Sequence, residues 1–348
     1  MNLFGKDLRQ TNKPLLIAEI SANHLNSIEV VKLLIEKVHQ AGWDAVKLQT
    51  YTPDCLTIES SHPDFFIQSG LWQGKSMYSL YAEASTPWDW HPDLFRHSEE
   101  VGIPLFSSPF SSQAVDFLET LSCPAYKVAS FEIRDYGLLK SIAETGKPIL
   151  ISTGAATEGD VIRAMALLDE YRVQDYMFLH CVSAYPADAK HYNLRRLSHL
   201  KKLTKSAVGL SDHSIGDLVA LGSVALGSSL IEKHVTLDPG KGIDGEFSLP
   251  ADLLAEFRNR VDDISMSLGD VDCRLPDELS GVDQIRFSRS IYFVKDLKKG
   301  DAITEDDIRV IRPGFGAHPM LLDSFYGKRV VTDVSVGTPV TLELVDAV

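Results

Sequence analysis

Polar residues recur at the C-terminal ends of short apolar runs along the first 240 residues. They are Glu19 with Ser21 and Asn23, Lys47 with Gln49, Ser107 with Ser108, Lys127 with Ser130 and Glu132, Ser152 with Thr153, His180 with Ser183, Ser211 with Asp212 and His213, and Glu232 with His234. A strand that serves only as scaffold has no need of them, although a single charged residue is often just a bridge to a neighbour. A polar residue at nearly every run end is a stronger signal. Lys47 and Lys127 supply fixed positive charge; Ser108, Ser130, Ser152 and Ser211 supply hydroxyl donors. Two cations and several hydroxyls at one mouth suit a small phosphorylated anion. His213 and His234 end successive runs and could share a divalent metal, with water or substrate oxygens completing its shell. Their spacing of 21 residues is no metal motif by itself, so two hydrogen-bonded core histidines are an equal reading. Asp212, Glu132 and Glu19 could brace such ligands from behind.

The elements that must position these side chains are legible in the apolar pattern. Eight runs, at 14–21, 45–51, 104–110, 125–130, 148–154, 177–183, 207–214 and 230–236, are short and nearly continuously apolar. That texture suits strands buried on both faces of a parallel sheet. Helix-period segments at 27–40, 92–101, 112–121, 136–145, 158–171, 217–227 and 251–268 alternate with them. The alternation allows an open doubly wound sheet, but a count of eight points to an α/β fold of (β/α)8 TIM-barrel type, with its site at the C-terminal strand ends.

Three segments break the rhythm. Between the second and third runs lie 52 residues, holding Trp72, Tyr78, Tyr81, Trp88 and Trp90. Their part at 52–90 is a long βα loop, which reads as a lid over the site, or as a local mini-core or dimer contact. The string GKGIDG at 240–245 matches the dinucleotide-binding glycine pattern, but it follows the eighth strand instead of opening a first βαβ unit. We therefore read it as a loop closing over the barrel mouth. From Ile285 the texture changes to short alternating runs (RSIYFVKDL, RVVTDVSV, VTLELV) with KKGD and VGTP turns. The expected organisation is a catalytic barrel over 1–269, a polar linker over 270–284 and a small β-rich domain over 285–348.

With 44% hydrophobic and 24% charged residues the chain is globular, which excludes a disordered or fibrous protein. The net charge of −14 argues against a nucleic-acid or membrane-surface partner. No apolar run is long enough to span a membrane, and the N-terminus lacks the apolar core of a signal peptide. Cys55, Cys123, Cys181 and Cys273 form no CxxC pair, so reduced thiols in the cytoplasm are expected.

Taken in order, AEISANH (18–24), KLQTY (47–51), FSSPF (106–110), PAYKVASFE (124–132), LISTG (150–154), HCVSAYP (180–186), GLSDHS (209–214) and IEKHVTLD (231–238) make the chain resemble the sialic acid synthase family. RPGFG (312–316) extends the resemblance into the tail, which is similar to that family's antifreeze-like (SAF) domain. The family condenses phosphoenolpyruvate with an amino-sugar aldehyde to make nonulosonic acids. KLQTYTPD, SGLWQGKSMYSLYAEASTPWDW and VASFEI look most like its pseudaminic acid branch; the sialic acid branch typically has histidine where this chain has Leu48. The implied acceptor is 2,4-diacetamido-2,4,6-trideoxy-L-altrose, with a legionaminic or N-acetylneuraminic acid synthase as the alternative.

The resemblance implies that Lys47, Ser108, Lys127, Ser130, Ser152 and Ser211 hold phosphoenolpyruvate. It implies a divalent metal, Mn2+ or Mg2+, on His213 and His234. Glu19, Gln49, Glu132, Tyr185 and Asp244 would line the sugar side and its waters, and Arg312 would enter from the tail of a partner subunit in a domain-swapped homodimer. Glu19, Lys47, Lys127, Glu132, His213 and His234 would be the catalytic set. The chain departs from the family at Leu25-Asn26, where a glycine is common nearby, so the first βα turn is expected to differ. The short loop after Asp238 makes Asp244 the least secure assignment, and Ser108 stands where the sialic acid branch often has threonine. Two other classes fit less well. A pyruvate-dependent metal aldolase needs no phosphate site, and a sugar-binding protein without activity needs neither the histidine pair nor Glu132.

Overall fold

The apolar runs form strands because β-branched and leucine residues can be buried on both faces only between a strand neighbour, the barrel interior and a covering helix. In the computed structural model, which describes residues 1–8, 13–269 and 281–346, eight of them close a parallel barrel. The strands are β1 (Leu15–Glu19), β2 (Ala45–Thr50), β3 (Leu105–Pro109), β4 (Tyr126–Val128), β5 (Ile149–Ser152), β6 (Tyr176–Cys181), β7 (Val208–Asp212) and β8 (Leu230–Thr236). Each pairs with the next, and β8 pairs in parallel with both β7 and β1, which closes the cylinder. A short hairpin, Asn2–Leu3 with Lys6–Asp7, precedes the barrel.

Helices cover the strands. Ile28–Gln40 shows how: Val31, Leu34, Ile35 and Val38 form one fully buried stripe at helical spacing. A helix at Arg196–Thr204 was not expected from the sequence. Its nine residues carry four basic or histidine side chains and bury only Leu197, Leu200 and Thr204, so its apolar stripe is too thin to read. The inserted segment 52–90 is likewise no bare loop, since it contains helices Pro53–Leu56 and Met77–Ala84.

The chain divides into two compact units, Met1–Gly269 and Asp270–Val348. Residues 270–280 of the expected linker lie outside the described residues, and its last three belong to the helix Val282–Phe287. The second unit has its own core of Ile291, Phe293, Ile303, Ile308, Phe325, Val330, Val334, Val340 and Val345. Its sheet is β9 (Ser290–Phe293) paired antiparallel with β10 (Ile308–Ile311). The runs at 329–336 and 340–345 contribute only isolated bridges. Among the described residues no helix is long and apolar enough to cross a membrane.

Candidate active site

Side chains alternate along a strand, so residues two apart share a face. On β8 that rule turns Glu232 and His234 into the barrel mouth together; on β7 it turns Ser211 inward. One cavity of about 220 Å³ at the mouth is lined by Lys47, Gln49, Ser108, Lys127, Ser130, Glu132, Ser152, Tyr185, Ser211, His213, His234 and Asp244. Twelve of the fourteen site residues expected from the sequence are therefore brought together. Glu19 is fully buried and lies behind the wall, ion-paired to Lys47. Arg312 is exposed in the second unit, one residue past β10.

Glu232 also lines the cavity, although the sequence analysis gave it no role. The signal was available: it shares a strand face with His234. Its carboxylate stands 3.6 Å from the Lys47 ammonium and 3.6 Å from that of Lys127, and accepts a hydrogen bond of 3.0 Å from Ser211. Burial works to raise Glu232, but Lys127 and Lys47 outweigh it and pull it below the usual carboxylate range. Burial raises Glu19, and Lys47 offsets this only in part. Burial would lower Lys47, yet Glu19 and Glu232 hold it above the ordinary lysine value; Lys127 is lowered, by burial first. Lys47 also donates to Ser108 Oγ at 3.0 Å. Ser130 Oγ accepts from the Gly154 amide at 3.1 Å, whereas the buried Ser152 hydroxyl, which lines the cavity, has no protein partner.

The imidazoles of His213 and His234 lie 5.3 Å apart, centre to centre. His213 Nδ1 meets the Val182 carbonyl oxygen at 2.9 Å, which fixes Nδ1 as the donor and leaves Nε2 to take either a proton or a cation. Burial drives His234 well below the usual histidine value, with His213 adding to the effect, so its ring is neutral. Burial works to lower His213 too, but the Cys181 sulfur and the Val182 carbonyl outweigh it, and a cation would have to displace that proton. His234 Nδ1 is buried without a hydrogen-bond partner, and Asp244 Oδ2 lies 3.6 Å from it. Two imidazole donors could hold a divalent cation. Among the described residues no three His, Cys, Asp or Glu side chains are grouped so as to hold one, so water or substrate oxygens would have to supply the other ligands.

Asp212 makes no direct hydrogen bond to either imidazole. Its carboxylate is taken up by Tyr192, Ser214 and Lys233. Glu132 is raised by burial to about 7, and its Oε2 has no hydrogen-bond partner. The Tyr185 ring lies 4.4 Å from His213, and burial holds its phenol well above 10, hence neutral.

The inserted segment resolves into two roles. Tyr51, Leu56, Trp72, Leu80, Tyr81 and Ala84 line the cavity. Trp88 instead stacks on Phe117 at 4.8 Å, and Trp90 meets His24 edge-on at 5.9 Å, so these two anchor the segment to the barrel. Across the mouth, Trp72 Nε1 donates to the Ile243 carbonyl at 3.3 Å, tying the insertion to the glycine loop. That loop needs Gly242: its φ is +83°, and a Cβ there would sit 3.0 Å from Asn23 Oδ1 and 3.3 Å from Leu25. In the first βα turn Leu25 and Asn26 are both left-handed, at φ 49° and 54°.

A closed (β/α)8 barrel with its polar cluster gathered at the C-terminal mouth is the architecture of a barrel enzyme. The comparisons make the class specific. The chain belongs to the NeuB family, whose model matches residues 34–272, and a SAF domain matches residues 288–346. It is 41% identical to the pseudaminic acid synthase of Campylobacter jejuni strain 81-176 over 93% of this chain and 94% of that one. It is 37% identical to the pseudaminic acid synthase of Helicobacter pylori over 95% and 97%. Among solved structures, the N-acetylneuraminic acid synthetase of Leptospira borgpetersenii superposes with a TM-score of 0.69 at 26% identity, covering 77% of this chain and 89% of that one.

Proposed function

We propose that this chain condenses phosphoenolpyruvate with 2,4-diacetamido-2,4,6-trideoxy-L-altrose to give pseudaminic acid and phosphate. The observation that carries the reading is the shared cavity: two lysines and four serines stand beside an imidazole pair and Glu132. The choice of acceptor rests on the likeness to the two pseudaminic acid synthases.

In this reading Lys47 and Lys127 offset the charge of the phosphate and carboxylate, and Ser108, Ser130, Ser152 and Ser211 fix their oxygens. Gln49, Tyr185 and Asp244 orient the sugar. A divalent cation, Mn2+ or Mg2+, held by His213 and His234 would polarise the aldehyde oxygen as a Lewis acid. Carbon 3 of phosphoenolpyruvate then bonds to the aldehyde carbon, whose oxygen ends as a hydroxyl. The cationic centre left at carbon 2 is taken by water, from which Glu132 accepts a proton. The carbon–oxygen bond to phosphate then breaks as the carbon 2 hydroxyl becomes the product's carbonyl and its proton leaves with the phosphate, making the enzyme a transferase in class. Glu19 keeps Lys47 charged and aimed. Arg312 completes the sugar side from the partner in a domain-swapped homodimer, and the enzyme works in the cytoplasm, where phosphoenolpyruvate is available.

The test is phosphate release with product mass, using purified protein, phosphoenolpyruvate and manganese. Three sugars run in parallel: the diacetamido altrose, its legionaminic counterpart and N-acetylmannosamine. Turnover of the altrose sugar alone supports the reading. Turnover of another sugar keeps the chemistry and overturns the acceptor, and silence with all three overturns the reaction.

A further inference from the structure

The register that turns Ser211 and Glu232 into the cavity turns their neighbours Asp212 and Lys233 away from it, paired directly across β7 and β8. Both are only 1% exposed, between the strands and their helical cover. The Lys233 ammonium lies 2.7 Å from Asp212 Oδ2 and donates at 2.8 Å to the backbone carbonyl of Ser214. Asp212 Oδ1 accepts from the Ser214 amide at 2.9 Å, the Ser214 hydroxyl at 2.7 Å and the Tyr192 hydroxyl at 2.9 Å. The Tyr192 oxygen in turn accepts from the backbone amide of His213 at 2.7 Å. His213 is thus gripped through its own amide and through both neighbours, while its ring faces His234, the residue after Lys233.

An ion pair in this layer is weak evidence for a stabilising role, because replacing a buried pair with apolar residues of similar volume is often neutral or stabilising. What it supplies is position. β7 ends at Asp212, so His213 lies past the strand ladder; besides the strut, its carbonyl accepts from the Ala187 amide at 3.0 Å and its Nδ1 donates to the Val182 carbonyl at 2.9 Å. We infer that Tyr192, Asp212 and Lys233 are positioning residues, a buried strut that sets the separation of the two imidazoles and so the affinity for the cation. This inference rests on the metal reading of His213 and His234 made above. None of the three touches the cavity, so they act only through the histidines.

The experiment is a Mn2+ titration of the full-length protein, following the free-ion signal by electron paramagnetic resonance. Wild type, His213→Ala, Tyr192→Phe and the double variant Asp212→Asn/Lys233→Met are compared. The expected result is binding by wild type, loss in His213→Ala, and a dissociation constant about 10–100-fold higher in each strut variant. Tyr192→Phe removes one oxygen, so its circular dichroism should be unchanged, and excess Mn2+ should restore its kcat. If the double variant fails to fold, Tyr192→Phe carries the test. Wild-type affinity in the strut variants, with only a lower melting temperature, overturns the inference and leaves the metal reading standing. Absence of Mn2+ binding by wild type overturns the metal reading, and the inference with it.

Discussion

The Lys127 ammonium lies 3.6 Å from the Glu232 carboxylate, and Lys47 stands at the same distance from that carboxylate. Glu232 therefore bridges the two cations, all three nearly fully buried, while Glu19 pairs with Lys47 from behind, so Lys127 is the lysine that shares its carboxylate and has no second one of its own. Removing one lysine leaves Glu19 and Glu232 facing a single cation. Lys127→Ala should lower kcat by about 100–1,000-fold, the cost of losing one preorganised charge at a reacting centre. It should also raise the KM for phosphoenolpyruvate with circular dichroism unchanged. Steady-state kinetics decide it, and near-normal turnover would remove Lys127 from the catalytic set.

Glu132 is poised by burial to titrate at about 7. As the group that accepts a proton from water, it must be ionised to act, so kcat should rise with pH through that value and level off above it. Glu132→Gln should lower kcat by about 100-fold or more and flatten the limb, because the amide neither titrates nor accepts a proton. The measurement is kcat at saturating substrates and Mn2+ from pH 5.5 to 8.5. A limb that survives in the Gln variant assigns it to another group.

The barrel was legible because its strands are buried on both faces, so β1 to β8 read as nearly continuous apolar runs whose polar residues could be picked out. The site was legible for the same reason: Lys47, Lys127 and His234 interrupt runs that have no structural use for them. What escaped notice depended on register. Lys233 and Asp212 looked like more of the same polarity, and only the pairing of β7 with β8 shows them facing away from the cavity. Tyr192 was invisible because its hydroxyl serves a backbone amide 21 residues later. The aromatics of 52–90 share a composition but not a task, since Trp72 reaches the cavity while Trp88 and Trp90 pack on the barrel. No periodicity distinguishes them.

Trp72 joins two loops that share no strand, through its bond to the Ile243 carbonyl, and its ring lies 5.8 Å from Tyr185. It therefore walls the cavity on the side of Tyr185, where the proposed function puts the acceptor. Losing a half-buried indole should lower kcat/KM for the sugar by about 10–100-fold, in line with the worth of a large apolar contact. The KM for phosphoenolpyruvate should change little. Trp72→Phe, which keeps a ring and loses the N–H, should fall between wild type and Trp72→Ala. Equal effects on both substrates would mean that Trp72 holds the whole mouth in shape and does not contact the sugar.

Arg312 sits in the second unit and the imidazole pair in the first, so the two can be inactivated separately. If Arg312 serves the barrel of its partner, each site is built from one barrel and the other subunit's tail. His213→Ala has a dead barrel and an intact tail; Arg312→Ala has the reverse. Either homodimer should be nearly inactive. In a mixed dimer one of the two sites draws an intact barrel and an intact tail, and random exchange in an equal mixture makes half the dimers mixed. Mixing after mild dissociation should therefore restore about a quarter of wild-type turnover. No recovery, with subunit exchange verified by differently tagged chains, would show that Arg312 acts on its own barrel or not at all. Recovery requires that the tail cross between subunits.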